Sequence, residues 1–357
     1  MEDFKILDLN DKDKWDEFLN RLPSGKKDVY FTPEYYDLYE KNGDGKTICI
    51  VYEQDTNIVI YPFLVNSINA LGYELENEYY DIQGAYGYNG VLTNSMNPGF
   101  IDGFYKLFDE YCKQNNIIAE FTRFHPLLGN YEFSKKHMQI ILDRETVSLD
   151  LRKNYEDIWS NEYTSKNRNM IRKAQKDGHT FEIIKNPSLN QINTFISLYF
   201  NSMGMVKAED YYLFNQEFFH NTFSLLKDNS VLVNILQQNK DIVCSSVFLF
   251  NGEFFHYHLS GRSGGASNAV NNYLLDEAVK YAKIIGARRF HFGGGRSSDP
   301  GDSLLKFKSN LSKTRMPFYI GKRIHNKSIY KDIIIQWENK YPEKKEKYKN
   351  YLLKYRY

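Results

Sequence analysis

The chain has 357 residues, a length that suits two ordinary domains better than one. Its 46 Lys and Arg against 45 Asp and Glu leave a net charge of +1, which excludes a global field for nucleic acid or anionic membrane. No run approaches 18 apolar residues and the opening MEDFKILDLNDKDKW has no apolar stretch, so neither a spanning helix nor a signal peptide is expected, and the expected compartment is the cytoplasm. Cys49, Cys112 and Cys244 lie far apart with no CxxC pair, which reads as buried thiols in a reducing environment. Aromatics reach 16%, with 29 Tyr and 25 Phe. Tyrosine has an apolar body and a polar tip, so this richness fits sugar-handling clefts as well as ordinary packing.

Taken in chain order, Thr47–Tyr52 and Ile58–Val65 flank a polar turn and predict a hairpin. A glycine-rich segment, Gly84–Gly90, leads to a short strand at Val91. Phe100, Phe104, Leu107, Phe108 and Tyr111 then recur at helical spacing, and the helix stops near Asn115 and Asn116. Ile117–Phe124 reads as a strand that ends in Arg123-Phe124-His125-Pro126. The middle of the chain predicts an amphipathic helix carrying Trp159 and Tyr163. A basic stretch with Lys166, Arg168, Arg172 and Lys173 follows, then helices over Asn190–Ser202 and Tyr211–Lys227. The second half repeats the order of the first: strands at Val231–Leu236, Ile242–Phe250 and Glu253–Ser260, with a strong turn signal at Asn251-Gly252. Leu274, Leu275, Ala278, Tyr281, Ala282 and Ile285 form a helical stripe closed by Gly286, and Arg288–Phe292 is the last strand. The repeated order predicts an α/β fold of two similar lobes with mixed, largely antiparallel sheets: residues 1–150, residues 151–325, and a helical tail at 326–357. Ile333, Ile334, Trp337 and Tyr341 are the tail's docking face.

Four motifs carry candidate chemistry. Ser260–Ser267 is a glycine loop between a strand and a helix, where backbone amides suit a phosphate; Arg262, Gly264, Gly265 and Ser267 are its candidate donor-binding residues. Gly293-Gly294-Gly295 closes a strand ahead of Asp302-Ser303-Leu304-Leu305-Lys306-Phe307-Lys308. If that segment is extended, Lys306 and Lys308 share one side and can hold phosphate or steady an oxyanion. Tyr86-Gly87-Tyr88-Asn89-Gly90 presents rings and an amide suited to a glycan, and Arg123 with His125 brings polar groups to a strand end. His256 and His258 share a strand face, but no carboxylate or cysteine completes a metal-ligand spacing, so no metal is expected. There is no GxSxG, HExxH or Walker loop.

The segments Phe31-Thr32-Pro33-Glu34-Tyr35, Asp81–Gly90, Arg168–Ala174 and Phe290–Leu311 resemble the Fem family of bacterial enzymes, which build peptidoglycan interpeptide bridges and share a fold with GNAT N-acyltransferases. The resemblance spans roughly residues 25–320 and implies two tandem GNAT-like lobes. It implies transfer of an acyl or aminoacyl group to an amine of a cell-wall or surface-glycan precursor, nucleotide- or lipid-linked. The co-substrate would be acyl-CoA or aminoacyl-tRNA, with tRNA a partner in the second case and no tightly bound cofactor. It implies a catalytic role for the lysine of Phe307-Lys308, and acceptor-phosphate binding by Arg168 or Arg172. Tyr86, Tyr88, Asn89, Arg123 and His125 are then the remaining acceptor candidates, and Lys306 joins the donor set. A location at the inner face of the membrane is compatible with such substrates. The chain departs from the family in lacking a long helical arm, in an imperfect acyl-CoA loop, and in the Arg-Phe-His-Pro segment typical of surface-polysaccharide acyltransferases. The alternative is a non-catalytic glycan-binding or scaffold protein on the same fold.

Overall fold

The computed structural model describes residues 2–206, 210–299 and 301–357; Pro300, inside the glycine-rich segment that carries the resemblance, lies outside them. The strands in chain order are β1 (Glu2–Leu7), β2 (Lys46–Gln54), β3 (Asn57–Ser67), β4 (Tyr80–Gln83), β5 (Leu92–Thr93), β6 (Ile117–Arg123), β7 (Gln139–Asp150), β8 (Thr180–Ile184), β9 (Ser230–Leu236), β10 (Ile242–Asn251), β11 (Phe254–Arg262), β12 (Arg289–Gly294) and β13 (Thr314–Ile324). The main helices are α1 (Lys12–Asn20), α2 (Pro33–Lys41), α3 (Pro98–Gln114), α4 (Ser165–Lys176), α5 (Leu189–Val206), α6 (Gln216–Leu225), α7 (Ala269–Ile284), α8 (Ser303–Lys308) and α9 (Lys327–Lys340). The chain divides into two compact units: Met1–Asp143 with Phe318–Tyr357, and Arg144–Pro317.

The two units repeat one set of pairings. In the first, β1, β2, β3 and β4 pair antiparallel in succession. Then β4 pairs parallel with β6, and β6 pairs antiparallel with β13. In the second, β8, β9, β10 and β11 pair antiparallel, β11 pairs parallel with β12, and β12 pairs antiparallel with β7. In each case the parallel pair is joined through a helix, α3 or α7, as a parallel connection requires. The last strand of each set is supplied from elsewhere in the chain. Residues of β13 from Phe318 onward return to the first unit, and residues of β7 from Arg144 onward belong to the second. The compact units therefore do not follow the chain-order divisions at 150 and 325, and the tail belongs to the first unit.

Each helix stripe buries its apolar face on its own sheet. Phe100, Phe104 and Phe108 of α3 pack on Tyr52, Tyr61 and Phe63, with the rings of Phe104 and Phe108 stacked 5.7 Å apart. In the second unit Leu274, Leu275, Ala278 and Ala282 of α7 meet Phe248, Phe255 and Phe290. The tail seals the other face of the first sheet: Ile333, Trp337, Leu352 and Tyr355 cover Ile68, Tyr79, Ile118 and Ala119. Its end is clamped by Asp81, whose Oδ2 accepts from Tyr355 Oη at 2.8 Å and from Arg356 Nε at 2.8 Å. Much of the aromatic richness is thus packing: Tyr35, Tyr36, Tyr39, Tyr52, Tyr61 and Tyr105 are all fully buried. The three cysteines are free and buried.

Local signals explain three departures from the sequence expectation. Trp159 lies on a single π-turn, Ile158–Glu162, and Tyr163 follows it in extended backbone, so the two residues do not share a helix. α6 starts at Gln216 because the Asn215 side chain accepts from Phe218 N at 2.8 Å, an N-cap within the run that predicted a helix from Tyr211. The segment before Lys308 is helical rather than extended because Asp302 caps it, so Lys306 and Lys308 do not share a side.

α5 crosses β11 closely at Gly261. A Cβ there would stand 2.3 Å from Tyr199 N and 2.7 Å from its Cα, both backbone atoms that cannot swing aside. Gly261→Ala is expected to destabilise the protein by about 1–3 kcal/mol in urea unfolding. Gly265→Ala, with nothing within 4 Å of the added carbon, is expected to be close to neutral.

Candidate active site

The second unit contains an opening between two strands. β11 and β12 pair only from Phe254–His256 to Arg289–His291. β11 then continues along β10 to Arg262. β12 instead shifts register against β7 between His291 and Gly293, where Gly293 takes φ +78. Only a residue without a Cβ adopts that backbone cheaply. Beyond His256 and His291 the two strands no longer pair.

Lys308 reaches into this opening from the end of α8. Its Nζ donates to Gly294 O at 2.7 Å and lies 5.9 Å from the centroid of the Tyr257 ring. A Cβ at Gly293 would stand 3.0 Å from the amine. The residue is only 8% exposed. Burial pushes its pKa down to about 7, with the charge of Asp302 acting in the opposite direction. Burial also takes the buried imidazole of His258 on β11 down to about 3, His256 adding to the shift, so His258 is too weak a base to hold a proton at neutral pH. Lys306, two residues before Lys308, is exposed.

The glycine loop follows directly from β11. Gly264 and Gly265 are exposed, whereas Arg262 is held at both ends: its backbone N donates to Ser202 Oγ at 2.8 Å and its Nη1 to Asn268 Oδ1 at 2.5 Å. Ser267 satisfies the first two amides of α7, its Oγ accepting from Ala269 N at 3.2 Å and its carbonyl from Val270 N at 3.2 Å. The loop's open amides are therefore nearer its glycines than the helix start.

The first unit brings together Tyr86, Tyr88, Asn89, Arg123 and His125. It carries the same parallel pair, β4 with β6, but closes the gap. After Gln83 the chain loops out over Gly84–Tyr88 and returns at Asn89, which forms a parallel bridge with Phe124. Asn89 N donates to Arg123 O at 2.6 Å, and Arg123 N donates to Asn89 Oδ1 at 3.1 Å. The Arg123 guanidinium reaches back to Gly84 O at 3.3 Å and lies over the Phe121 ring. His125 is buried; its Nδ1 accepts from Leu127 N at 3.2 Å, which fixes the proton on Nε2, 2.6 Å from Asp28 Oδ2. Tyr88 stands edge-on to Tyr30, His125 and Phe318 at 5.2, 5.4 and 5.5 Å. Asn89 and His125 thus hold the loop from inside, while Tyr86, Tyr88 and Arg123 are half-buried and reach its surface.

Arg168 lies away from both groups. Its Nη1 donates to the carbonyls of Trp159 and Tyr163, capping the π-turn, a structural use that leaves less of the guanidinium for a phosphate than the sequence suggested. Arg172 is exposed and stacks on Trp159 at 5.3 Å. Sequence reasoning missed Asp302, Tyr257 and Asp28. The signal for Asp302 was present: an Asp before Ser-Leu-Leu is an N-cap pattern.

Residues 163–308 match the family model described as Acetyltransferase (GNAT) domain. No curated protein matches the chain by sequence. Among solved structures the fold is similar to FemX, at 15% identity over 92% of this chain and 99% of that one, with a TM-score of 0.68. It is similar to L-PGS from Bacillus licheniformis at 15% identity over 90% and 95%, TM-score 0.57. A tandem GNAT protein from the clavulanic acid biosynthesis pathway aligns at 8% identity over 90% and 98%, TM-score 0.50. The fold is therefore the tandem GNAT fold, and Lys308 is the last residue of the matched domain. Among the described residues no helix is long and apolar enough to cross a membrane.

A buried amine of lowered pKa also marks stability. The unfolded chain holds the Lys308 proton up to about pH 10.5 and the folded one only to about 7, so the cost of burying this lysine is greatest below pH 7 and fades as pH rises. Lys308→Met is expected to be more stable than the parent in urea unfolding at pH 7. The gap should narrow by at most about 1.4 kcal/mol per pH unit towards pH 10.

Proposed function

We propose that this GNAT-fold acyltransferase moves an acyl or aminoacyl group from an activated ester or thioester to an amine of a cell-wall or surface-glycan precursor, with Lys308 as the proton-transfer group. The observation that carries this reading is the Lys308 amine, lodged where β11 and β12 cease to pair and held by Gly294 O. Its pKa near 7 matches a group that must both take and return a proton at neutral pH. The GNAT fold implies acyl-CoA co-substrates in general, and the likeness to FemX and to L-PGS, a lysyl-phosphatidylglycerol synthetase, supports the aminoacyl form.

In the chemistry, the acceptor nitrogen attacks the donor carbonyl and a C–N bond forms. The proton lost from that nitrogen passes to neutral Lys308. The tetrahedral intermediate carries an oxyanion, and the ammonium now present at Nζ stabilises it at the moment the charge appears. Collapse breaks the carbonyl bond to the thiolate or alkoxide, which takes the proton back. Donor phosphates are assigned to the exposed amides of Gly264 and Gly265 with Arg262 and Ser267 as the frame of the loop, and the solvent-facing Lys306 stays a donor candidate by charge alone.

Lys308→Met is expected to lower turnover by roughly 10²–10³, the scale of losing one positioned proton-transfer or oxyanion group. It should also abolish a rise in rate through pH 7. Lys306→Met, on the exposed side of α8, should retain both rate and profile. Measured acyl transfer in which the two variants fall equally and modestly overturns the assignment.

Within the first unit, Tyr86, Tyr88 and Arg123 are the proposed acceptor-recognition surface, since tyrosine rings stack on sugars and guanidinium groups fork onto phosphates. Tyr88→Ala and Arg123→Ala are each expected to weaken binding of a nucleotide-linked amino-sugar acceptor by about tenfold in calorimetry. Unchanged affinity in both removes the surface from the site.

A further inference from the structure

α8 is six residues long, too short to nucleate itself, yet it must hold one amine to within a fraction of an ångström. What organises it is a single carboxylate. Asp302 Oδ1 accepts from Leu304 N and Leu305 N, both at 2.9 Å. Oδ2 accepts from Arg296 N at 3.0 Å and Ser297 N at 3.2 Å, on the strand side of the turn. Gly295 makes room for this: a Cβ there would stand 2.6 Å from Asp302 Oδ1. Arg144 steadies the same turn, its Nη1 donating to Arg296 O at 2.9 Å. Four amides from both sides of the turn thus converge on one side chain. Burial pushes the Asp302 carboxyl up, but these amides outweigh it and hold it below the ordinary carboxylate range, so it is ionised at working pH.

We infer that Asp302 is the positioning residue of the Lys308 amine: its carboxylate ties the end of β12 to the start of α8 and supplies the negative charge that acts on that amine. This rests on the reading of Lys308 given above. The other titratable groups on the flanking strands do not compete for the role. Tyr257 is pushed up to about 12 by burial and His258 down to about 3, so both are uncharged at neutral pH. His256 of β11 and His291 of β12 are imidazoles and bring no negative charge at neutral pH. Arg144 and Lys306 are cations. Asp302 is the acid whose charge opposes the desolvation of Lys308.

The test separates cap from charge. Asp302→Asn keeps an oxygen for the amides of Leu304 and Leu305 but removes the charge; Asp302→Ala removes both. In the full chain, the reactivity of Lys308 toward acetic anhydride is followed against pH by peptide mapping, a readout that needs no turnover. The expected midpoint is about 7 in the parent, and it should fall by roughly half a unit or more in Asp302→Asn, the direction set by loss of an opposing charge. In Asp302→Ala the amine is released from its burial, and its midpoint should rise towards that of a free lysine while acyl transfer falls by roughly 10-fold or more. Midpoints equal to the parent in Asp302→Asn overturn the inference, even if Asp302→Ala fails to fold. Because the labelling reports on the amine directly, Asp302 can stand or fall here whether or not Lys308→Met loses activity.

Discussion

The second unit depends on one limit: β11 and β12 can pair for only three residues. Gly293 forces the end of that pairing, because its left-handed backbone turns β12 towards β7 while β11 stays with β10. Two strands that part leave carbonyls and amides without strand partners, and buried groups of that kind need some other partner. Gly294 O finds its partner in Lys308 Nζ. The opening is thus filled by an amine rather than by packed hydrocarbon. The glycines there are a condition for the amine to fit, since a side chain at Gly293 would occupy its place.

The first unit shows the same topology put to a different end. Its parallel pair also separates, after Gln83, but the Asn89 bridge to Phe124 draws the strands together again. Tyr30, Tyr35, Tyr39 and Tyr88 fill the space around His125 and the Tyr86 carbonyl, to which Tyr35 Oη donates. Burial raises the phenols of Tyr30 and Tyr35 well above their ordinary range, so they are neutral donors at any physiological pH. One repeat of the fold is closed by aromatic packing and a backbone bridge. The other is left open around a titratable group. A duplicated architecture can therefore carry recognition in one copy and chemistry in the other, because what differs is confined to the few residues after the parallel pair.

The two copies also share a device of exchange. Each is completed by a strand from a distant part of the chain, β13 in the first and β7 in the second. Closing such long loops costs entropy that grows only slowly with length. In the first unit that cost is offset by the burial of Trp337, Leu352 and Tyr355 and by the Asp81 clamp on Tyr355 and Arg356.

The sequence by itself determined the repeated hairpins, α3 and α7, and the identity of Lys308 as the lysine to watch. Those features rest on local signals: alternation in strands, the stripe from Phe100 to Tyr111, the Asn251-Gly252 turn, and three glycines at a strand end. Tertiary structure decided the rest. Which strand completes each sheet was illegible, since β7 and β13 pair across more than a hundred residues and no local pattern encodes a distant partner. Burial was equally hidden: Lys306 and Lys308 look alike in sequence, and only the Asp302 cap, by winding the segment into a helix, puts one in solvent and the other beside Gly294. The same holds for Arg168, whose charge reads as a phosphate ligand until the carbonyls of the preceding π-turn are seen to claim it. A side chain's type is written in the sequence, but its solvation is a property of everything folded around it, and solvation is what turns an ordinary lysine into one that titrates near neutrality.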